Sequence, residues 1–115
     1  MTLKTFLAPV FERKAASVTA IDVRDLTSYA DTIVIVEGSS RRQVSAIAEH
    51  IVKTLKASDI TPLGMEGLKE GEWALIDYGD VIIHVFESEA KEFFNLEGLW
   101  DDAPRIDLSD YQTDS

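Results

Sequence analysis

Residues 76–86 read IDYGDVIIHVF. Two apolar runs flank a Tyr78-Gly79-Asp80 centre, and this pattern decides how the sheet is built. Gly79-Asp80 suits a two-residue hairpin turn, because Gly accepts φ > 0 at the first turn position. The turn sets Tyr78 opposite Val81, Ile76 opposite Ile83 and Ala74 opposite Val85. Cross-strand partners share a face. One face therefore carries Ala74, Ile76, Tyr78, Val81, Ile83 and Val85, and packs against helices. The other carries Trp73, Leu75, Asp77, Ile82, His84 and Phe86. A longer loop from Asp77 to Asp80 keeps the same division, since both loops contain an even number of residues.

The second face is unusual in either environment. A buried face rarely holds an unpaired Asp and His, because lone buried charges are costly. An exposed face rarely shows Trp73, Leu75, Ile82 and Phe86 together. Aromatics beside polar groups, with no basic residue among them, fit a protein-binding patch. The competing reading has an N-terminal helix covering this face.

Outward from the hairpin, the apolar periods define the other elements. Leu3, Phe6, Leu7, Val10 and Phe11 recur at helical spacing after Thr2, which predicts a helix to about Lys14. Val18–Val23 and Ala30–Val36 read as strands. The unbroken Ile33–Val36 run places the second strand inside the sheet. Ser40 and Gln43 form a capping box, so a helix begins at Arg41. Its stripe is Val44, Ile47, Ala48, Ile51, Val52 and Leu55. Ile60–Met65 is a weak strand, at an edge or starting at Pro62. Strand, helix and strand together imply a right-handed parallel crossover. Glu66–Gly71 is a loop. Ser88 caps a last helix bearing Ala90, Phe93, Phe94 and Leu96, which Gly98 stops. The order is αββαβββα, a single α+β domain with a mixed sheet flanked by helices. Residues 1–103 form the domain, and 104–115 read as an acidic, frayed tail.

The chain has 115 residues, no Cys and a net charge of −10, from 21 acids against 11 bases. Disulfides and thiolate metal sites are excluded. The charge repels polyphosphate, and the only adjacent basic pairs are Arg13-Lys14 and Arg41-Arg42, so DNA is not an expected partner. A basic protein suits the charge better, and solubility alone accounts for the acidity equally well. No apolar run approaches the roughly 20 residues of a membrane span. The N-terminus lacks a signal-peptide pattern, and a cytoplasmic location is expected.

Candidate chemistry is weak. Asp77 points outward while Asp80 lies in the turn, so the two carboxylates diverge and suit no two-metal site. His84 and Asp77 are diagonal neighbours roughly 7–8 Å apart, too far for a triad hydrogen bond. Ser39 lacks a Gly-x-Ser-x-Gly elbow and, with Ser40, serves as a cap. His50 falls off the apolar stripe and is expected in solvent. Gly38-Ser39-Ser40-Arg41-Arg42 could cradle a phosphate at a helix start, but lacks the P-loop spacing. Arg41 and Arg42 sit where the helix dipole disfavours cations by about 0.3–1 kcal/mol each. Pairing with Glu37 is favoured over an anionic ligand. No catalytic residue, metal or cofactor is expected. The alternative is a phosphate- or nucleotide-handling enzyme using Gly38, Ser39 and the Asp pair.

In order along the chain stand Ser28-x-Ala30-Asp31, Gly38-x-Ser40-x-x-Gln43, Glu66-Gly67, Trp73, Asp77-Tyr78-Gly79-Asp80, His84-Val85-Phe86 and Leu96-Glu97-x-Leu99-Trp100. This set resembles the ribosomal silencing factor family, RsfS/Iojap, from about Leu3 to Ala103. Phe94 is a mild departure, where the family often has Tyr. The resemblance implies a nucleotidyltransferase-like fold without the activity. It implies binding to the large ribosomal subunit at its L-fourteen protein, a steric block to joining the small subunit, and repression of translation when nutrients are scarce. Homodimers in isolation are implied too. On this reading Trp73 and Phe86 are apolar anchors, and Leu75 and Ile82 the patch floor beside His84. Asp77 and Asp80 meet Lys or Arg, and Glu66 and Tyr78 line the edge. The hairpin register, however, buries the Tyr78 ring on the opposite face.

Overall fold

The computed structural model describes residues 3–28, 30–88 and 103–109. Their elements are α1 (Leu3–Phe11), β1 (Ser17–Asp22), β2 (Thr32–Gly38), α2 (Arg41–Ala57), β3 (Gly64–Glu66), β4 (Trp73–Asp77) and β5 (Val81–Glu87). The last helix expected after Ser88 lies outside the described residues. The five strands form one sheet in the order β1-β2-β5-β4-β3. β2 and β5 are parallel, and the other neighbouring pairs are antiparallel. The fold is thus α+β with a mixed sheet. β3 runs in the same direction as β2, as a crossover through α2 requires, but β5 and β4 lie between them.

Local chemistry accounts for these elements. Ser40 is the N-cap of α2, and its hydroxyl accepts from the Gln43 backbone N–H at 3.1 Å. The Gln43 side chain does not close the box on Ser40. Its Oε1 instead accepts from the amide and hydroxyl of Ser39, and its Nε2 donates to the Lys14 carbonyl. The cap therefore also ties the end of the first connection to α2. Val44, Ile47, Ala48, Ile51 and Leu55 are all buried, as the 3.6-residue period requires. α1 ends at Phe11, short of Lys14, two residues after the buried Pro9. That proline cannot donate to the carbonyl one turn back.

The main core lies between the helices and one face of the sheet. Phe6, Leu7 and Val10 of α1 and the α2 stripe pack with Ala74, Ile76, Val81, Ile83 and Val85. At roughly 1.5–3 kcal/mol for each large apolar side chain, this layer dominates the favourable side of folding. His50, expected in solvent, is clamped instead. Its Nε2 lies 2.7 Å from Glu12 Oε1, and its Nδ1 lies 3.3 Å from the Arg13 guanidinium. These contacts pin the end of α1 to α2.

The tail expected to fray departs from that expectation over its described part, and residues 110–115 lie outside the described residues. Residues 104–108 do not fray. Asp22 donates its N–H to the Pro104 carbonyl at 2.9 Å, and Ile106 donates to Ala20 at 2.8 Å. Arg105 bridges Ile21, and Ile106 and Leu108 pack on the core. Backbone pairing with an open edge, plus two apolar anchors among the acids, holds this segment down.

Candidate functional site: the outer face of the hairpin

The β4–β5 register pairs Trp73 with Phe86, Ala74 with Val85, Leu75 with His84, Ile76 with Ile83 and Asp77 with Ile82. The Tyr78 N–H donates to the Val81 carbonyl at 2.9 Å, and Gly79 has φ +88°. The turn and both faces are therefore those expected. The Asp77 carboxylate accepts from the Gly79 N–H at 2.8 Å, which fixes the turn. The Asp80 carbonyl accepts from the N–H groups of Asp31 and Thr32, which ties the turn to the start of β2. Asp77 is half-buried and Asp80 exposed.

α1 does not cover the outer face. Its apolar side chains lie in the core on the opposite side of the sheet. Trp73, Leu75, Asp77, Ile82 and His84 remain half-buried. Phe86 differs: it is fully buried, in a second cluster with Ile21, Val23, Ala30, Ile33, Ile35 and Ala103. The cause is the parallel pairing of β2 with β5, which sets Ile33 beside Ile82 and Ile35 beside His84. The apolar outer surface thus continues across β2 and β1, and Phe86 belongs to its sealed part. It is a support under Trp73, whose ring stacks on it at 4.9 Å, rather than an exposed anchor.

Tyr78 is also relocated. Its ring packs against Phe6 on the helix side, with centroids 5.2 Å apart. Its buried hydroxyl has no hydrogen-bond partner, and burial pushes the phenol pKa up to about 12. The register, not the edge position implied by resemblance, locates this residue.

His84 accepts the Trp73 indole N–H on Nδ1 at 3.0 Å. An accepting Nδ1 requires the neutral imidazole with its proton on Nε2. Burial pushes the His84 pKa down to about 4, so the neutral form holds at ordinary pH. The imidazole also stacks with Phe86 at 5.9 Å. Trp73, His84 and Phe86 form one braced aromatic unit. The Asp77 carboxylate is spent on the turn and is no partner for this imidazole.

Beside the unit lies a groove of about 480 Å³, lined by Glu66, Gly67, Glu70, Glu72, Trp73 and Leu75. Three carboxylates rim an apolar floor. Glu70 and Glu72 sit in the β3–β4 connection, and sequence period gives no signal for them. Gly67, at φ +75°, lets this connection turn back; a Cβ there would lie 2.1 Å from the Trp73 carbonyl. At the start of α2, Arg41 pairs with Glu72 at 3.8 Å rather than with Glu37. Glu37 accepts from the hydroxyls of Ser17 and Ser88. The amide and hydroxyl of Ser39 are both committed to Gln43.

Comparison with known proteins agrees with this architecture. The family model described as "Ribosomal silencing factor during starvation", RsfS, matches residues 1–115. The ribosomal silencing factor RsfS of Bacillus subtilis is 39% identical over 106 residues, spanning 92% of this chain and 90% of that protein. A mouse protein named for mitochondrial assembly of the ribosomal large subunit is 30% identical over 92 residues, spanning 77% of this chain and 40% of its own. A crystal structure from Bacillus halodurans superposes with a TM-score of 0.82 at 34% identity, covering 92% of this chain and 96% of the other. The chain belongs to the RsfS family of ribosomal silencing factors.

Proposed function

We propose that this chain binds the large ribosomal subunit through a basic protein there, the L-fourteen protein, and blocks joining of the small subunit. Translation is thereby repressed when nutrients are limited. The action is steric occupation of a surface and needs no catalytic step. The observation that supports this most is the half-open outer face of β4 and β5. Trp73, Leu75, Asp77, Ile82 and His84 stay partly exposed there, while both helices pack on the other side. An aromatic braced from behind loses little freedom on binding, which favours a hot spot. Glu66, Glu70 and Glu72 beside it, on a chain of net charge −10, favour a cationic partner. Asp80 at the exposed turn adds a further carboxylate.

Co-sedimentation with purified large subunits, and light scattering of subunit joining, test this reading. The wild-type chain pellets with large subunits and slows joining. Trp73→Ala with Asp77→Lys abolishes both. A double variant that remains folded and silences normally would remove the outer face from the account.

A further inference from the structure

We propose that the open edge of β3 takes an extended segment of a basic protein as an added strand, with apolar and cationic residues alternating along it. This deepens the large-subunit reading above and rests on it. The two edges of the sheet differ. The β1 edge is occupied by the chain's own residues 104–106. Beside β3, no strand lies on the outer side among the described residues. An open edge presents backbone donors and acceptors to any chain that can lie along it. Pro62 and the shortness of β3 limit such pairing without abolishing it. Leu63 and Met65 are 78% and 52% exposed, which a merely protected edge does not need.

The two faces of β3 specify what lies against it. Met65 pairs with Ile76 and so lies on the helix-side face, and Leu63 precedes it by the strand period of two. Glu66 pairs with Leu75, which places it on the outer face, at the rim of the groove with Glu70 and Glu72. A strand laid along this edge turns alternate side chains to these two environments. One set meets Leu63 and Met65 and is apolar. The other meets Glu66 and the groove, and is Lys or Arg whose aliphatic stem covers Trp73 and Leu75. A second copy of this chain brings its own Glu66 and a charge of −10, so self-pairing is disfavoured. The same charge repels RNA.

The test titrates the isotope-labelled full chain with a short synthetic peptide of alternating Lys and Val. Amide signals of 63–66 shift, and hydrogen exchange slows at those among them that face the open edge, whereas Leu63 already donates to the Asp77 carbonyl. N-methylating alternate residues of the peptide removes its donors in one of two registers, and one register must lose binding. Two N-methylated peptides that both bind like the parent overturn strand addition. Glu66→Lys with Glu70→Lys, both at exposed positions, weakens the peptide about tenfold; unchanged affinity overturns the charge half of the proposal. Doubled mass of the free chain, with slowed exchange at β3, makes a second copy the occupant and overturns the proposal as stated. If the wild-type chain fails to pellet with large subunits, the parent reading falls while the peptide result stands. If subunits bind and the peptide does not, strand addition alone falls.

Discussion

The His84–Trp73 contact makes a prediction that needs no partner. His84 Nδ1 accepts the indole N–H at 3.0 Å, and burial holds the imidazole pKa at about 4, against 6.5 in a free histidine. The unfolded chain therefore takes this proton first as pH falls. Because the folded value lies below the unfolded one, the contribution of His84 to stability is complete above about pH 6.5. It is lost as pH drops through the window down to about 4. At roughly 1.4 kcal/mol per pH unit the gap is worth about 3 kcal/mol. Solvent reaching the half-buried ring reduces this to about 2 kcal/mol. His84→Asn keeps a side-chain oxygen able to accept the indole N–H and does not titrate. Urea unfolding of both proteins across this range isolates the histidine, since the carboxylates are common to both. The wild type loses about 2 kcal/mol relative to the variant between the two limits. Parallel stability curves, or a His84 resonance titrating near 6.5, would refute the buried neutral acceptor.

Other consequences follow from packing and backbone geometry. Ile83→Ala, at a fully buried core position, costs about 2–5 kcal/mol by denaturant titration. Gly67→Ala sets a Cβ 2.1 Å from the Trp73 carbonyl at a positive φ. It costs more than about 1 kcal/mol in the same assay and changes Trp73 fluorescence. Ending the chain after Ala103 removes the acceptor for the Asp22 N–H and the donor to the Ala20 carbonyl. Exchange at Asp22 then accelerates, and light scattering shows association through the bared β1 edge.

The hairpin was legible because its signals are local. A Gly-Asp turn fixes the register, and period-two alternation then sorts Ile76 from Asp77 and Ile83 from His84. Capping by Ser40 and the apolar stripe of α2 were equally local. What failed depends on contacts between distant segments. The burial of Phe86 comes from β2 pairing with β5, and no residue in the hairpin announces that neighbour. Five Asp over residues 101–115 made the stretch look solvated, yet Ile106 and Leu108 anchor 104–108. His50 looked solvated on its own helix and is partnered across a gap of 38 residues. Groove residues Glu70 and Glu72 gather through a loop turn at Gly67, which carries no periodic signal.

Hydroxyl-radical footprinting of the chain on purified large subunits tests most directly whether the outer sheet surface is what touches the ribosome. Trp73, Leu75 and Ile82 should lose reactivity on binding, while Lys53 and Lys56, on the solvent side of α2, keep theirs. Protection centred on α2 with Trp73 unchanged would contradict the account.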